Sequence, residues 1–187
     1  MKKIDLNKLR DKAYKTACEH GLHDQELSNE RCLCLVISEL MKAVEADRKR
    51  KYFKGKIMFE RDFNLYSALV EENVRYRNAF EKHIKDTVGD KLADTVIRLL
   101  DLAGLRNLNL NRFALVNVVS KKKTFTENIH SIVKDITNYK YTLEELVNYA
   151  ITQVFVLSDI LDIDLLWHIE HKMKYNELRE DMYGKKY

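Results

Sequence analysis

Apolar residues recur along this chain at intervals of three and four, the spacing of one face of a helix, with little of the strict alternation that marks strands. Leu6, Leu9, Ala13 and Ala17 predict an amphipathic helix over residues 5–20, closed by His20-Gly21. Ser28 or Asn29 then caps a second helix over residues 31–47, apolar on almost every side up to Ser38. Beyond that point Glu39, Lys42, Glu45 and Lys49 follow at spacings of three and four and share one side of the helix. The period weakens from residue 48 to about residue 73, as expected of an inserted loop or a short helix. A third long helix is predicted from near Asn78 to Gly104; Gly89 inside it costs about 1 kcal/mol relative to alanine and marks a close approach or a break. Residues 105–123 read as a connection with room for a short helix around residues 113–119. Thr124 or Thr126 caps the next helix, to about Thr137; Thr142 with Glu145 forms a capping box for one reaching Leu161; Asp164 caps a last one to about Glu180. The expectation is an all-α, antiparallel bundle of about six helices, a single domain over residues 1–187 with insertions at 48–76 and 105–123.

Residues 86–104 carry a tension that the rest of the chain does not. Leu92, Ala93, Val96, Ile97, Leu99, Leu100, Leu102 and Ala103 leave little room for a polar face. At about 100° per residue, Lys91, Asp94, Arg98 and Asp101 nevertheless fall within one arc of roughly 80°. Charges on such a helix must be paired, bound to a metal or open to a cleft.

Composition narrows the function classes. The absence of proline and the presence of only five glycines removes the turns that sandwiches and barrels need. The N-terminus is too charged for a signal peptide, and the most apolar later stretch, residues 150–167, is interrupted by Gln153, Ser158, Asp159, Asp162 and Asp164. Three cysteines, Cys18, Cys32 and Cys34, read as small buried hydrophobes of a reducing compartment, so a cytoplasmic protein that avoids membranes is expected. A net charge of +4 suits a small anionic ligand better than a nucleic acid. The basic run at residues 48–56, interleaved with Tyr52 and Phe53, reads either as a solvated helix end or as a contact for a phosphate backbone. The six histidines form no i, i+4 metal pair, and His168 with His171 is expected on a wet helix face; Trp167 and the ten tyrosines are expected in the core and at interfaces rather than as base-stacking platforms.

Two segments, ISELMKAVEADRK at 37–49 and FEKHIKDTVGDKLADTVIRLLDLAG at 80–104, followed by KMKYNELR at 172–179 and GKKY at 184–187, together resemble MazG-like proteins of the all-α nucleoside triphosphate pyrophosphohydrolase superfamily. The resemblance implies a magnesium site of four acidic side chains, two on each of two helices, that cleaves a nucleoside triphosphate to monophosphate and pyrophosphate. Transferred residue by residue, those four positions are Glu39, Lys42, Lys91 and Asp94. An ammonium offers magnesium no oxygen, and a cation–cation contact at about 4 Å costs roughly 4 kcal/mol at an effective dielectric near 20. Glu45 and Asp90 are the nearby carboxylates able to restore a weakened magnesium site.

The expected function is therefore a nucleotide-binding protein with weak or absent hydrolysis. Lys42 and Lys91 would hold phosphates directly, helped by Lys172, Tyr175, Asn176 and Arg179 from the closing motif. The alternatives are an active magnesium-dependent pyrophosphohydrolase and a structural or partner-binding bundle in which Glu39, Lys42, Lys91 and Asp94 pair among themselves. The resemblance also implies a homodimer or homotetramer, consistent with the apolar stretches at 32–37 and 92–102.

Overall fold

A computed structural model describes residues 5–65, 67–111, 117–138 and 140–179. Eight helices and no strand occur among them: α1 (Leu6–Glu19), α2 (Asn29–Arg48), α3 (Lys56–Asn64), α4 (Glu72–His83), α5 (Val88–Leu105), α6 (Phe125–Ile136), α7 (Leu143–Ile160) and α8 (Leu165–Glu177). The fold is an all-α bundle. Most starts are set by side-chain caps: Asp5, Ser28, Thr87, Thr124, Thr142 and Asp164 each accept from a backbone N–H of the first turn, and Thr124 and Thr142 close full capping boxes with Glu127 and Glu145.

α5 is the axis of the bundle, with eleven of its eighteen residues buried. α2 lies antiparallel to it: the Val88 N–H donates to the Lys51 carbonyl at one end, and Arg106 donates to Asn29 and to the Leu27 carbonyl at the other. α1 is antiparallel too, with Tyr14 against Gly104 and Arg10 donating to the Leu108 carbonyl. α8 runs alongside α5 in the same direction, since His168 meets Gly89 and Lys172 meets Asp90 and Asp94. Val36, Leu40, Leu92, Val96, Leu99, Ile132, Ile151 and Ile169 belong to one core cluster; Phe59, Tyr76, Phe80, Ile84 and Tyr175 form a smaller aromatic one that fastens α3 and α4 to α8.

Several expectations are revised. The long helix anticipated from Asn78 is two helices, because the backbone turns at Asp86, which has a positive φ of 63°, and Thr87 then caps α5 while its hydroxyl donates to the Ile84 carbonyl. The weakly periodic section contains α3 and the start of α4. The anticipated helix at 113–119 falls partly outside the described residues, while 117–119 are not helical; the closing residues 184–187 also lie outside them. Of the cysteines only Cys32 is buried, because Cys18 and Cys34 sit on the outer sides of α1 and α2. His168 is buried rather than wet, edge-on to Phe53 and Trp167. The apolar faces of α2 and α5 pack within the chain itself. No single helix among the described residues is long and apolar enough to cross a membrane.

Gly89 is a close approach as well as lying near the break: a Cβ there would sit 2.5 Å from His168 Nε2. Gly89→Ala should therefore lower stability by about 1–3 kcal/mol through overpacking, against the roughly 1 kcal/mol that alanine gains in a helix. A urea midpoint equal to or above that of the wild type would show that the His168 ring yields.

Candidate functional site

The α2–α5 contact brings together the four positions singled out by the sequence. Glu39, buried on α2, accepts from the Lys42 ammonium at 2.9 Å. On α5, Lys91 faces three carboxylates, with Nζ 2.7 Å from Asp86, 3.3 Å from Asp90 and 3.9 Å from Asp94. Glu45 lies outside this cluster, paired on the surface with Arg48 at 3.3 Å and Lys49 at 2.9 Å.

Behind Lys91 the network closes on a second cation. The Lys172 ammonium reaches across from α8 and bridges Asp90 and Asp94, 2.8 Å from each. Asp90 is 0% exposed, and its remaining oxygen accepts from the Asp86 N–H at 2.8 Å. Two ammonium groups thus serve three aspartates, Asp90 and Asp94 toward the interior and Asp86 at the exposed edge, and the bond to the Asp86 backbone ties the cluster to the turn that starts α5.

The electrostatics follow from burial and this pairing. Burial pushes the Asp94 carboxyl up to about 6; Lys172 opposes that shift, while the charges of Asp90 and Glu39 add to it. Burial works against the charge on Lys91, but the attraction of Asp90, Asp86 and Asp94 prevails and raises it above the usual lysine range. Lys172 is raised in the same way by Asp94 and Asp90. The Asp86 carboxyl, hydrogen-bonded to Lys91, falls below the usual carboxylate range.

This donor set does not fit magnesium. The place between Asp90 and Asp94 is filled by an ammonium, and a near-octahedral shell of oxygens cannot be assembled around a point that two cations already share. Among the described residues no three His, Cys, Asp or Glu side chains are arranged to hold a metal ion.

The closing motif is divided among three places. Lys172 is in the interior network. Tyr175 is buried in the aromatic cluster, its ring stacked on Phe80 at 4.2 Å and its hydroxyl donating to Glu81 at 2.6 Å. Asn176 and Arg179 line a cleft between α1, α5 and α8, together with Asp94, Arg98 and Asp101. Arg98 and Asp101 do not form the close salt bridge that their spacing suggests: Asp101 makes its short contact with His23, at 2.7 Å.

On the solvent side of the network a groove runs between the end of α2 and the start of α5, lined by Lys42, Lys49, Lys51 and Lys91 with Glu45 and Asp86. Sequence reasoning missed Lys51 and Asp86 as parts of this site. Asp86, Asp90 and Asp94 recur at intervals of four, a carboxylate stripe that demands cations, and that signal was available.

Removing the inner cation tests the network. Lys172→Met should destabilise the fold by about 3–5 kcal/mol at pH 7.5, the cost of an uncompensated buried charge. Asp94 is raised in the folded state, so its contribution is fully present below the unfolded carboxylate value near 4 and is lost as pH rises through about 6. Losing Lys172 raises Asp94 further, so the deficit of the variant should shrink at pH 5. Urea midpoints for both proteins at the two pH values check this, and a deficit independent of pH counts against the pairing.

Compared with known protein families, curated sequences and solved structures, the chain has no significant match.

Proposed function

We propose that this chain is a nucleotide-binding protein related to the MazG-like pyrophosphohydrolases, which holds phosphates with lysine side chains rather than through magnesium and hydrolyses them weakly or not at all. The observation that carries this reading is the groove at the α2–α5 contact, where four lysines face two carboxylates. Two of these cations, Lys42 and Lys49, are held in loose pairs that an anion can replace. Lys42 is 53% exposed in its pair with Glu39, and Lys49 shares the surface carboxylate of Glu45 with Arg48. Exposed pairs of this kind are worth about 0–1 kcal/mol, whereas a phosphate oxygen bound by an ammonium forms a charge-assisted bond worth roughly 1.5–3 kcal/mol.

The other parts of the reading rest on less. Free cysteines suit a reducing compartment such as the cytoplasm. Self-association into a homodimer or homotetramer is supported by the exposed Ile57, Leu65, Leu69 and Val74 around α3 and the start of α4.

Calorimetric titration with nucleoside mono-, di- and triphosphates and with pyrophosphate, in EDTA, tests the proposal. Binding without metal is expected, weakening with added salt, and Lys42→Met or Lys51→Met should each reduce affinity about tenfold or more. No binding of any of these anions would remove the proposal in favour of a structural bundle. Release of pyrophosphate and monophosphate on adding magnesium would instead establish a pyrophosphohydrolase.

A further inference from the structure

Residues 42–56 concentrate the charge of the whole chain. They hold seven lysines and arginines against Glu45 and Asp47, a net +5 where all 187 residues together carry +4. The fold gathers these cations around the end of α2 and the turn that follows it, beside the lysine groove. The carboxylates on this side are already taken. Glu39 holds Lys42, Glu45 holds Arg48 and Lys49, Asp86 holds Lys91, Asp164 holds Lys56, and Asp47 accepts the Tyr52 hydroxyl at 2.5 Å. Lys85, paired with Glu81 at 3.5 Å, adds to the positive field at Asp86. Arg50, Lys51 and Lys54 are exposed, and among the described residues their side chains make no hydrogen bond or close ion pair.

The turn that carries these three cations is fixed in place. The Arg50 and Lys51 N–H groups donate back to the Asp47 and Ala46 carbonyls of α2, at 2.8 and 2.9 Å, and the Lys51 carbonyl accepts from Val88 at the start of α5. Arg50 takes a φ of 53° just past the end of α2, where glycine is the unstrained residue. A guanidinium carried on a strained backbone, with no partner inside the fold, is a group placed for an anion outside it. Tyr52 lies next to Lys51 and is 38% exposed, so its ring is not part of the core.

Three unpaired cations in five residues, continuous with a phosphate groove and interleaved with a partly exposed ring, match a chain of phosphates and bases more closely than one small anion. The groove has a volume of about 230 Å³, and Lys91 in its wall is 13% exposed. It admits the phosphates of a flexible strand singly, whereas a duplex or a bilayer holds its phosphates on a broad surface that cannot enter. We propose that the groove and the turn at residues 50–54 form one track for the backbone of single-stranded nucleic acid, with Tyr52 as a platform for a base. The track rests on the reading of the groove as a phosphate site and extends it from one nucleotide to a strand.

Calorimetric titration of the full chain in EDTA with a six-nucleotide thymidylate strand, set against thymidine monophosphate, tests the track. The strand should bind about tenfold or more tightly than the mononucleotide. Its log affinity should fall with log salt by roughly 0.7 for each phosphate held. Arg50→Gly combined with Lys54→Met, both at exposed positions outside the groove lining, should remove the advantage of the strand and lower that slope by about 1.4, with pyrophosphate binding unchanged. Equal affinity for strand and mononucleotide overturns the proposal and leaves the phosphate reading standing. A strand affinity that survives in the double variant also overturns it, as does a duplex of the same length that binds as tightly, or binding to phosphatidylserine vesicles in place of the strand. Strand binding that requires Arg50 and Lys54, when neither thymidine monophosphate nor pyrophosphate binds, has the opposite meaning: the track is kept and the small-nucleotide reading falls.

Discussion

The bridge from the Lys172 ammonium to Asp90 and Asp94 fixes more of this structure than any single apolar contact. It joins the last helix to the central one, 82 residues apart between Asp90 and Lys172, and it does so at Asp90, which is fully buried and where a lone carboxylate would be costly to keep ionised. An apolar interface between α5 and α8 would tolerate small slides along the helix axes. An ammonium bridging two carboxylates at 2.8 Å each disfavours such slides. The register set in this way puts His168 into the notch left by Gly89 and brings Asn176 to the cleft that Arg98 also lines. Buried ion pairs add little net stability after desolvation; in this chain the pairing specifies how two helices align.

The same bridge explains why the acidic residues on α5 do not imply metal chemistry. Asp86, Asp90 and Asp94 present three carboxylates along one side of the chain, which by itself resembles the start of a cation site. Two tethered ammonium groups already supply the cations, one from α5 and one from α8. A covalently attached cation differs from a bound ion in one respect that matters for function: it cannot exchange ligands with a substrate without opening the fold. An ammonium offers a metal ion no lone pair, so the carboxylates it occupies are withdrawn from metal coordination.

Much of this was legible in the sequence, for local reasons. Thr142 and Glu145, Ser28 and Asp164 signal helix starts through hydrogen bonds confined to one turn, and the structure places those starts where the residues ask. The charged stripe of Lys91, Asp94, Arg98 and Asp101 was also readable as charge needing a partner or a cleft, and it divides between both: the first two join the ion network and the last two line the cleft. The break before α5 was present as Thr87-Val-Gly-Asp90, a capping pattern hidden inside apolar periodicity that ran through it. The partners of the stripe were not readable. The sequence offers Lys172 and Tyr175 as phosphate contacts and His168 as a wet position; only when α8 lies along α5 does the first become an internal counter-ion, the second stack on Phe80 and the third fill the Gly89 notch.

The lysines around the α2–α5 contact form a graded series from solvent to interior. The Lys42 side chain is 53% exposed, Lys91 is 13% and Lys172 is 8%. The free energy needed to draw each from its carboxylate rises along that series, because Lys42 has one partner in a largely hydrated setting, Lys91 has three of which only Asp86 is exposed, and Lys172 has two, Asp90 and Asp94, away from solvent. Lys42 and Lys49 can therefore leave their carboxylates with little rearrangement. Lys91 cannot, since turning that ammonium outward would strip Asp86 and Asp90 of a partner at once. Division of labour follows from burial alone: the outer cations are loosely held, and the inner ones tie α5 to α8.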